Sequence, residues 1–226
     1  MLESVTGIAY AARVLPTEPI RPLYDVWLRP RRVFRELAPR PVGPVDYLLG
    51  AAQGIAGWLA LSREQNYGST SSVAEIFGKA FILGSVAGVA SLFLMGTIYA
   101  RLGSRAGRTA ARNQVFHVVA YAGVPLAASL VLWVFAALLI GEPTFEQAPR
   151  PDVEGFVTLL LRVQFIAYLV LTLWSVVIQV MGLSEVLGLV TRKAFGLWVL
   201  GQLIGFLVLL FLMILIATLF PNAVNS

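Results

Sequence analysis

The chain contains no cysteine and only one histidine, His117. Disulfides, thiol chemistry and cysteine-ligated metal are therefore excluded. One imidazole cannot make a histidine cluster, so a zinc site has no ligand set. Charge is scarce too: 13% of the 226 residues are Asp, Glu, Lys or Arg, where a soluble domain carries about a quarter. No acid is expected at the centre of an apolar run, which leaves an acidic proton or cation relay without its groups. The phosphate-binding loop of nucleotide hydrolases and the GxSxG nucleophile elbow are both missing. No set of His and carboxylates is spaced to position a reaction. The expectation is a non-enzymatic protein with no metal and no cofactor. Residues 1–20 also lack the long apolar core of a secretory leader, so the first apolar run is expected to act as the targeting signal.

What the chain has in abundance is apolar sequence. It is 58% hydrophobic, with a mean hydropathy of +0.80. Five runs stand out: Asp46–Leu61, Ile76–Ala100, Val115–Ile140, Phe156–Met181 and Ala194–Phe220. A helix needs about 20 apolar residues to cross ~30 Å of hydrocarbon, and a helix satisfies its own backbone in lipid. The basic residues between the runs alternate. Arg13, Arg21, Arg29, Arg31, Arg32, Arg35 and Arg40 precede the first run; Arg63 follows it. Arg101, Arg105, Arg108 and Arg112 lie in the second connection, Arg150 in the third, Arg192 and Lys193 in the fourth. One side thus collects thirteen and the other two. Because Lys and Arg accumulate in cytoplasmic loops, this pattern predicts five spans with the N-terminus inside and the C-terminus outside. The net charge of +5 is then a matter of topology and of attraction to anionic lipid on the inner face, not of nucleic-acid binding.

Four regions are expected: a flexible N-terminus (1–19), a basic amphipathic cytoplasmic segment (20–40), a five-helix transmembrane domain (44–220) and a short tail (221–226). In the second, Pro30 suits the first turn of a helix on which Val33, Phe34 and Leu37 share a face. Arg31, Arg32 and Arg35 lie on other faces. Such a segment can rest in the membrane interface with Trp27 at headgroup depth, or pack its apolar face on the end of the bundle. Pro39, Pro41 and Pro44 separate it from the first span. The second span opens on Ser72-Val73-Ala74-Glu75, a capping box with Ser72 at the N-cap. A helix from Val73 to Ala100 would be ~42 Å long, so Lys79 near its start is expected to reach the outer surface. The third connection is acidic and proline-rich, with Asp152 the expected N-cap of the fourth span.

Within the spans, Gly50/Gly54, Gly84/Gly88 and Gly201/Gly205 each form GxxxG, which favours close packing inside the bundle or, alternatively, a homo-oligomer interface. Arg162 lies ~15 Å along a helix begun at Asp152. It is expected to snorkel outward or to pair with Asp152 or Glu154; the alternative is a substrate path shared with Gln164 and Gln179. Gln53 and Gln202 complete the polar set, with the glutamines expected to bridge helices. His117, Tyr121 and Pro125 fall on one helical face. His117 is expected to hydrogen-bond between helices or at the interface, with pH sensing as the alternative. Pro125 is expected to kink its helix, with neighbours satisfying the freed carbonyl.

Three segments in order resemble the Yip1 domain family of five-span membrane proteins. They are Trp27-Leu28-Arg29-Pro30-Arg31-Arg32-Val33-Phe34, Ala120-Tyr121-Ala122-Gly123-Val124-Pro125, and Gly182-Leu183-Ser184 through Arg192-Lys193-Ala194. They are similar, respectively, to the family's Pro-x-x-x-Phe stretch before the first span, its Tyr-x-x-x-Pro in the third, and the short turn whose Lys-Ala opens the last. The resemblance covers about residues 23–220. It implies five spans with a cytoplasmic N-terminus. The Asp-Leu-Tyr-Gly-Pro motif of eukaryotic members is absent, so their link to Rab GTPases is not carried over. Fifteen arginines against two lysines suit a GC-rich bacterium, and hence an inner membrane.

The expected protein is an all-α integral membrane protein with a short N-terminal amphipathic interfacial helix. It is expected to act as a scaffold or accessory subunit organising lipids or partner proteins, with a transporter component as the alternative. The residues expected to meet lipid or partners are Trp27, Arg29, Arg31, Arg32, Arg35, Arg101, Arg105, Arg108 and Arg112.

Overall fold

A computed structural model describes residues 20–107, 112–147 and 155–219. The expected contributions of Arg108, Arg150, Asp152, the N-terminal 19 residues and the C-terminal tail lie outside the described residues. Every described element is helical. Two short helices come first, α1 (Pro22–Asp25) and α2 (Pro30–Leu37), followed by α3 (Pro44–Glu64), α4 (Val73–Lys79) and α5 (Ser85–Arg105). The chain continues through α6 (Arg112–Ala122), α7 (Val124–Ile140), α8 (Phe156–Val186) and α9 (Thr191–Leu219).

Four helical stretches are long and apolar enough to cross a membrane: Val73–Arg105, Arg112–Ile140, Phe156–Val186 and Thr191–Leu212. Their outward faces carry large apolar side chains, among them Phe81, Ile82, Leu138, Ile166, Phe206 and Phe211, all more than half exposed. Such a continuous apolar surface is stable against lipid and not against water. The helix α3 is less apolar, because Asp46, Gln53 and three glycines fall within its 21 residues. It nevertheless runs the length of the bundle. Asp46 at its start touches α6, and just beyond its end Gly68 packs on Glu142 and Phe145.

The basic residues sort by end. α2, the C-terminus of α5, the N-terminus of α6 and the α8–α9 turn meet at one end, which carries Arg29–Arg40, Arg101, Arg105, Arg112, Arg192 and Lys193. Arg63, Lys79 and Arg162 lie toward the other. We refer to these as the basic end and the opposite end.

At the second-span start, Ser72 Oγ accepts the Glu75 N–H at 3.3 Å, as its sequence pattern predicts. The Glu75 carboxylate does not turn back to close the box. It pairs instead with Lys79 at 2.7 Å, one turn further on. Between α4 and α5, Ala80–Gly84 form a π turn. Ile76, Ala80, Gly84, Gly88, Leu92 and Gly96 are all buried, at a strict four-residue spacing. On an ideal helix, with 3.6 residues per turn, that spacing drifts by ~40° at every step. A wider turn takes up the surplus and keeps the row facing inward.

All three GxxxG pairs pack within the chain. A Cβ on Gly54 would fall on the Gly84 carbonyl oxygen, and one on Gly88 on the Gly50 carbonyl oxygen, so α3 crosses α4–α5 backbone to backbone. Gly201 lies against the Tyr99 ring and Gly205 against the Met95 sulfur. Gly57, one turn beyond Gly54, has open space around it. Gly88→Leu should therefore destabilise the protein by about 1–3 kcal/mol or more through overpacking, whereas Gly57→Ala should leave stability unchanged or slightly raised. Thermal unfolding of the two variants in the same detergent checks this.

Candidate functional site

Of the buried polar groups, Asp46, His117 and Ser175 meet at α6, while Ser62, Thr144, Glu146, Gln164 and Ser184 lie elsewhere in the bundle. The 3-residue stretch Pro39–Pro41 ends the N-terminal segment, and Pro44 opens α3 in the first helical turn, where a missing N–H is harmless. This start places Asp46 at the third helical position. Its Oδ2 accepts the Gly43 N–H at 2.8 Å, capping the helix. Its Oδ1 lies 2.7 Å from His117 Nδ1 on α6, and both side chains are 4% exposed. The other ring nitrogen, Nε2, lies 3.0 Å from the Arg40 carbonyl oxygen. Asn113 Nδ2 donates to that same oxygen at 3.0 Å. A carbonyl only accepts, so Nε2 carries a hydrogen. One further proton sits between Nδ1 and the carboxylate, and the pair is net neutral whichever atom holds it. His117 thus ties together α6, the start of α3 and the connection from α2. The Tyr121 ring, one turn on, stands 6.4 Å from the imidazole.

Beyond Tyr121 the helix breaks at Gly123, and Pro125 has no N–H to give back. The missing N–H belongs opposite the Tyr121 carbonyl; the carbonyls on either side of it gain side-chain donors from neighbouring helices, and the Ala120 oxygen also keeps the Gly123 N–H at 3.2 Å. Gln53 Nε2 on α3 donates to the Ala120 oxygen at 2.9 Å, and Ser175 Oγ on α8 donates to the Ala122 oxygen at 2.6 Å. The kink expected at Pro125 is thus a one-residue break at Gly123 within the Arg112–Ile140 stretch, with side chains from two helices bonded beside it.

At the basic end, α2 buries Pro30, Val33, Phe34 and Leu37. Phe34 sits on Gly182 of α8 and beside Val118 of α6. Of the two environments open to this apolar face, it occupies the end of the bundle. Trp27 is half-buried against the same core. The arginines of α2 are engaged at their heads: Arg31 Nη2 donates to Thr191 Oγ1 at 2.8 Å, Arg32 pairs with Glu36 at 2.8 Å, and Arg35 with Glu185 at 2.9 Å. Arg29, Arg101 and Arg105 are exposed and have no carboxylate partner among the described residues. Arg112 lies over the Phe116 ring, and its Nη2 donates to Thr97 Oγ1 at 3.1 Å.

The residues expected to share a polar path do not share a cavity. Arg162 is exposed, six positions into α8. Gln164 is buried with neither side-chain polar atom bonded, lining a space of about 30 Å³ with Arg63, Trp133 and Tyr168 near the opposite end. Gln179 lies four turns further along α8, where its Oε1 accepts the Trp198 Nε1–H at 3.0 Å. A far larger groove, about 820 Å³, opens between α3, α5 and α9. It is lined by small residues such as Gly57, Ala87 and Ala90, with Gln202 among few polar groups.

Sequence reasoning passed over Asp46, Ser175 and Asn113. The signal for Asp46 was present in Gly43-Pro44-Val45-Asp46, where a proline opens a helix and an acid stands at its third position.

A family model described as the Yip1 domain matches residues 24–217. No curated protein and no solved structure matches.

His117→Ala and Asp46→Ala should each destabilise the protein by ~3–5 kcal/mol, because each leaves a buried polar partner unpaired. The double variant should lose well under the sum. A double-mutant cycle on unfolding in detergent measures the coupling; strict additivity would show that the pair does not act as a unit.

Proposed function

This chain belongs to the Yip1 domain family and is an integral multi-pass membrane protein; from that premise we propose that it is a non-enzymatic scaffold or accessory subunit that organises lipids or partner proteins at its basic end. The observation that carries this reading is the contrast between the polar groups inside the bundle and those at that end. Asp46, His117, Gln53, Ser175 and Gln179 are committed to holding helices together. Arg29, Arg101 and Arg105 are exposed and have no carboxylate partner among the described residues. Positive charge of this kind attracts anionic headgroups or acidic protein surfaces.

In the membrane, α3 forms the fifth span, the basic end faces the cytoplasm, and the C-terminus emerges on the far side of a bacterial inner membrane. The length of α3 and the sorting of arginines by end support this arrangement. The natural absence of cysteine makes it easy to test. A single cysteine placed by Arg29→Cys should react with an impermeant maleimide only in inverted vesicles, and one placed by Asn66→Cys only in intact spheroplasts. Labelling of both from the same side would mean that α3 does not span.

The scaffold reading is tested by purifying the full chain in mild detergent and identifying what accompanies it. Reproducible anionic lipid or a stoichiometric protein partner is the expected result. A chain that emerges free of both, while remaining folded, would overturn it.

A further inference from the structure

Beside the large groove lies a smaller one, about 330 Å³, between α5 and α9. Its walls are Leu94, Ile98 and Leu102 on one side and Ile204 and Val208 on the other, and Arg101 and Arg105 stand at its mouth. We propose that this groove binds one anionic phospholipid, with an acyl chain along the α5–α9 seam and the phosphate between Arg101 and Arg105. The inference rests on the proposed function in placing the basic end at a lipid headgroup layer.

The dimensions fit one leaflet. Leu94 to Arg105 spans eleven residues, or ~16 Å along a helix, about half the hydrocarbon thickness. The groove therefore runs from headgroup level to mid-membrane. Its lining is apolar apart from Thr97 and the two arginines. The arginines are four residues apart on one face of α5, where like charges repel unless an anion lies between them. Both are exposed, without a carboxylate partner among the described residues. Their place at a helix C-terminus is favourable for any cation and accounts for the charge alone. It does not account for an apolar groove that begins where the charges end. A third guanidinium adds to the field: Arg112 donates to Thr97 Oγ1, on the groove wall, at 3.1 Å. Planar guanidinium groups match phosphate oxygens in pairs. Arg29, Arg192 and Lys193, also exposed at this end, are not among the residues that line this groove.

The test uses the full chain in nanodiscs, with phosphatidylglycerol in a phosphatidylcholine background, and counts lipids retained after transfer to detergent by native mass spectrometry. The wild type should hold one phosphatidylglycerol tightly. Replacing both mouth arginines (Arg101→Gln with Arg105→Gln) should weaken that retention by about tenfold or more, because charge-assisted bonds are lost. Filling the groove with Val208→Trp should weaken it as well, with no change of charge. The charge-matched control, Arg29→Gln with Arg192→Gln, should leave it unchanged. Equal weakening by the control would show diffuse attraction to the basic end and overturn the site while leaving the proposed function standing. Undiminished retention in Val208→Trp would overturn the groove. Competition by glycerol phosphate as effective as by the intact lipid would do the same, since the chain would then contribute nothing. A wild type with no preference for phosphatidylglycerol would remove both the site and the lipid half of the proposed function.

Discussion

Residues Val115–Pro125 are buried on every side, so each main-chain group freed by the interruption at Gly123 has to find a partner inside the protein. The partners come from different helices. Gln53 reaches across from α3 and Ser175 from α8 to take the Ala120 and Ala122 carbonyls. One turn earlier, His117 collects the first turn of α3 and the connection from α2. A buried, broken helix would be unstable in lipid by itself. Here carbonyls at the break become attachment points for two neighbours, α3 and α8, and the His117 side chain adds the connection from α2. The close crossing of α3 on α4–α5 has a separate cause, the absence of side chains at Gly50, Gly54, Gly84 and Gly88.

Four of the five expected span positions were legible because they rest on composition and length alone, and long apolar stretches leave few alternatives; the first run, Asp46–Leu61, forms α3 but is not among the stretches apolar enough to cross. The Ser72 cap and the break near Pro125 were legible because each depends on local chemistry within a few residues. The close packing at Gly54 and Gly88 was legible in kind, since only glycine permits such an approach, but the partner of each pair was not. What escaped was long-range or relative. Asp46 reads as the polar edge of an apolar run, and its meeting with His117 depends on two helices separated by 71 positions. The π turn is written in a four-residue repeat that looks like an ordinary helical face until the drift is summed over five steps. The placement of α2 could not be decided from amphipathicity, because an apolar stripe fits a bundle end and a membrane interface equally well.

The two ends of the molecule use charge differently. At the opposite end Lys79 is held by Glu75, Arg63 lies over the Phe165 ring, and Gln147 caps the Glu64 carbonyl. Those contacts lie within α4, between α3 and α8, and between the end of α3 and the stretch after α7. At the basic end the α2 arginines hold that helix to itself and to the α8–α9 turn, while Arg29, Arg101 and Arg105 have no carboxylate partner among the described residues.

The burial of Val33, Phe34 and Leu37 changes what those free charges can do. An amphipathic segment that inserts its apolar face gains membrane affinity from hydrophobic transfer, with charge as a supplement. With that face already spent on α6 and α8, only electrostatic attraction is left, on the order of 1 kcal/mol for each Lys or Arg near an anionic surface. A protein anchored by several apolar helices gains nothing in localisation from so small a term. The same term is large enough to decide which lipid or which acidic surface occupies a fixed place beside it. Under the proposed function, the exposed arginines select a neighbour rather than hold the protein to the membrane, and selection requires a shaped surface next to the charge, such as the groove at the α5–α9 seam.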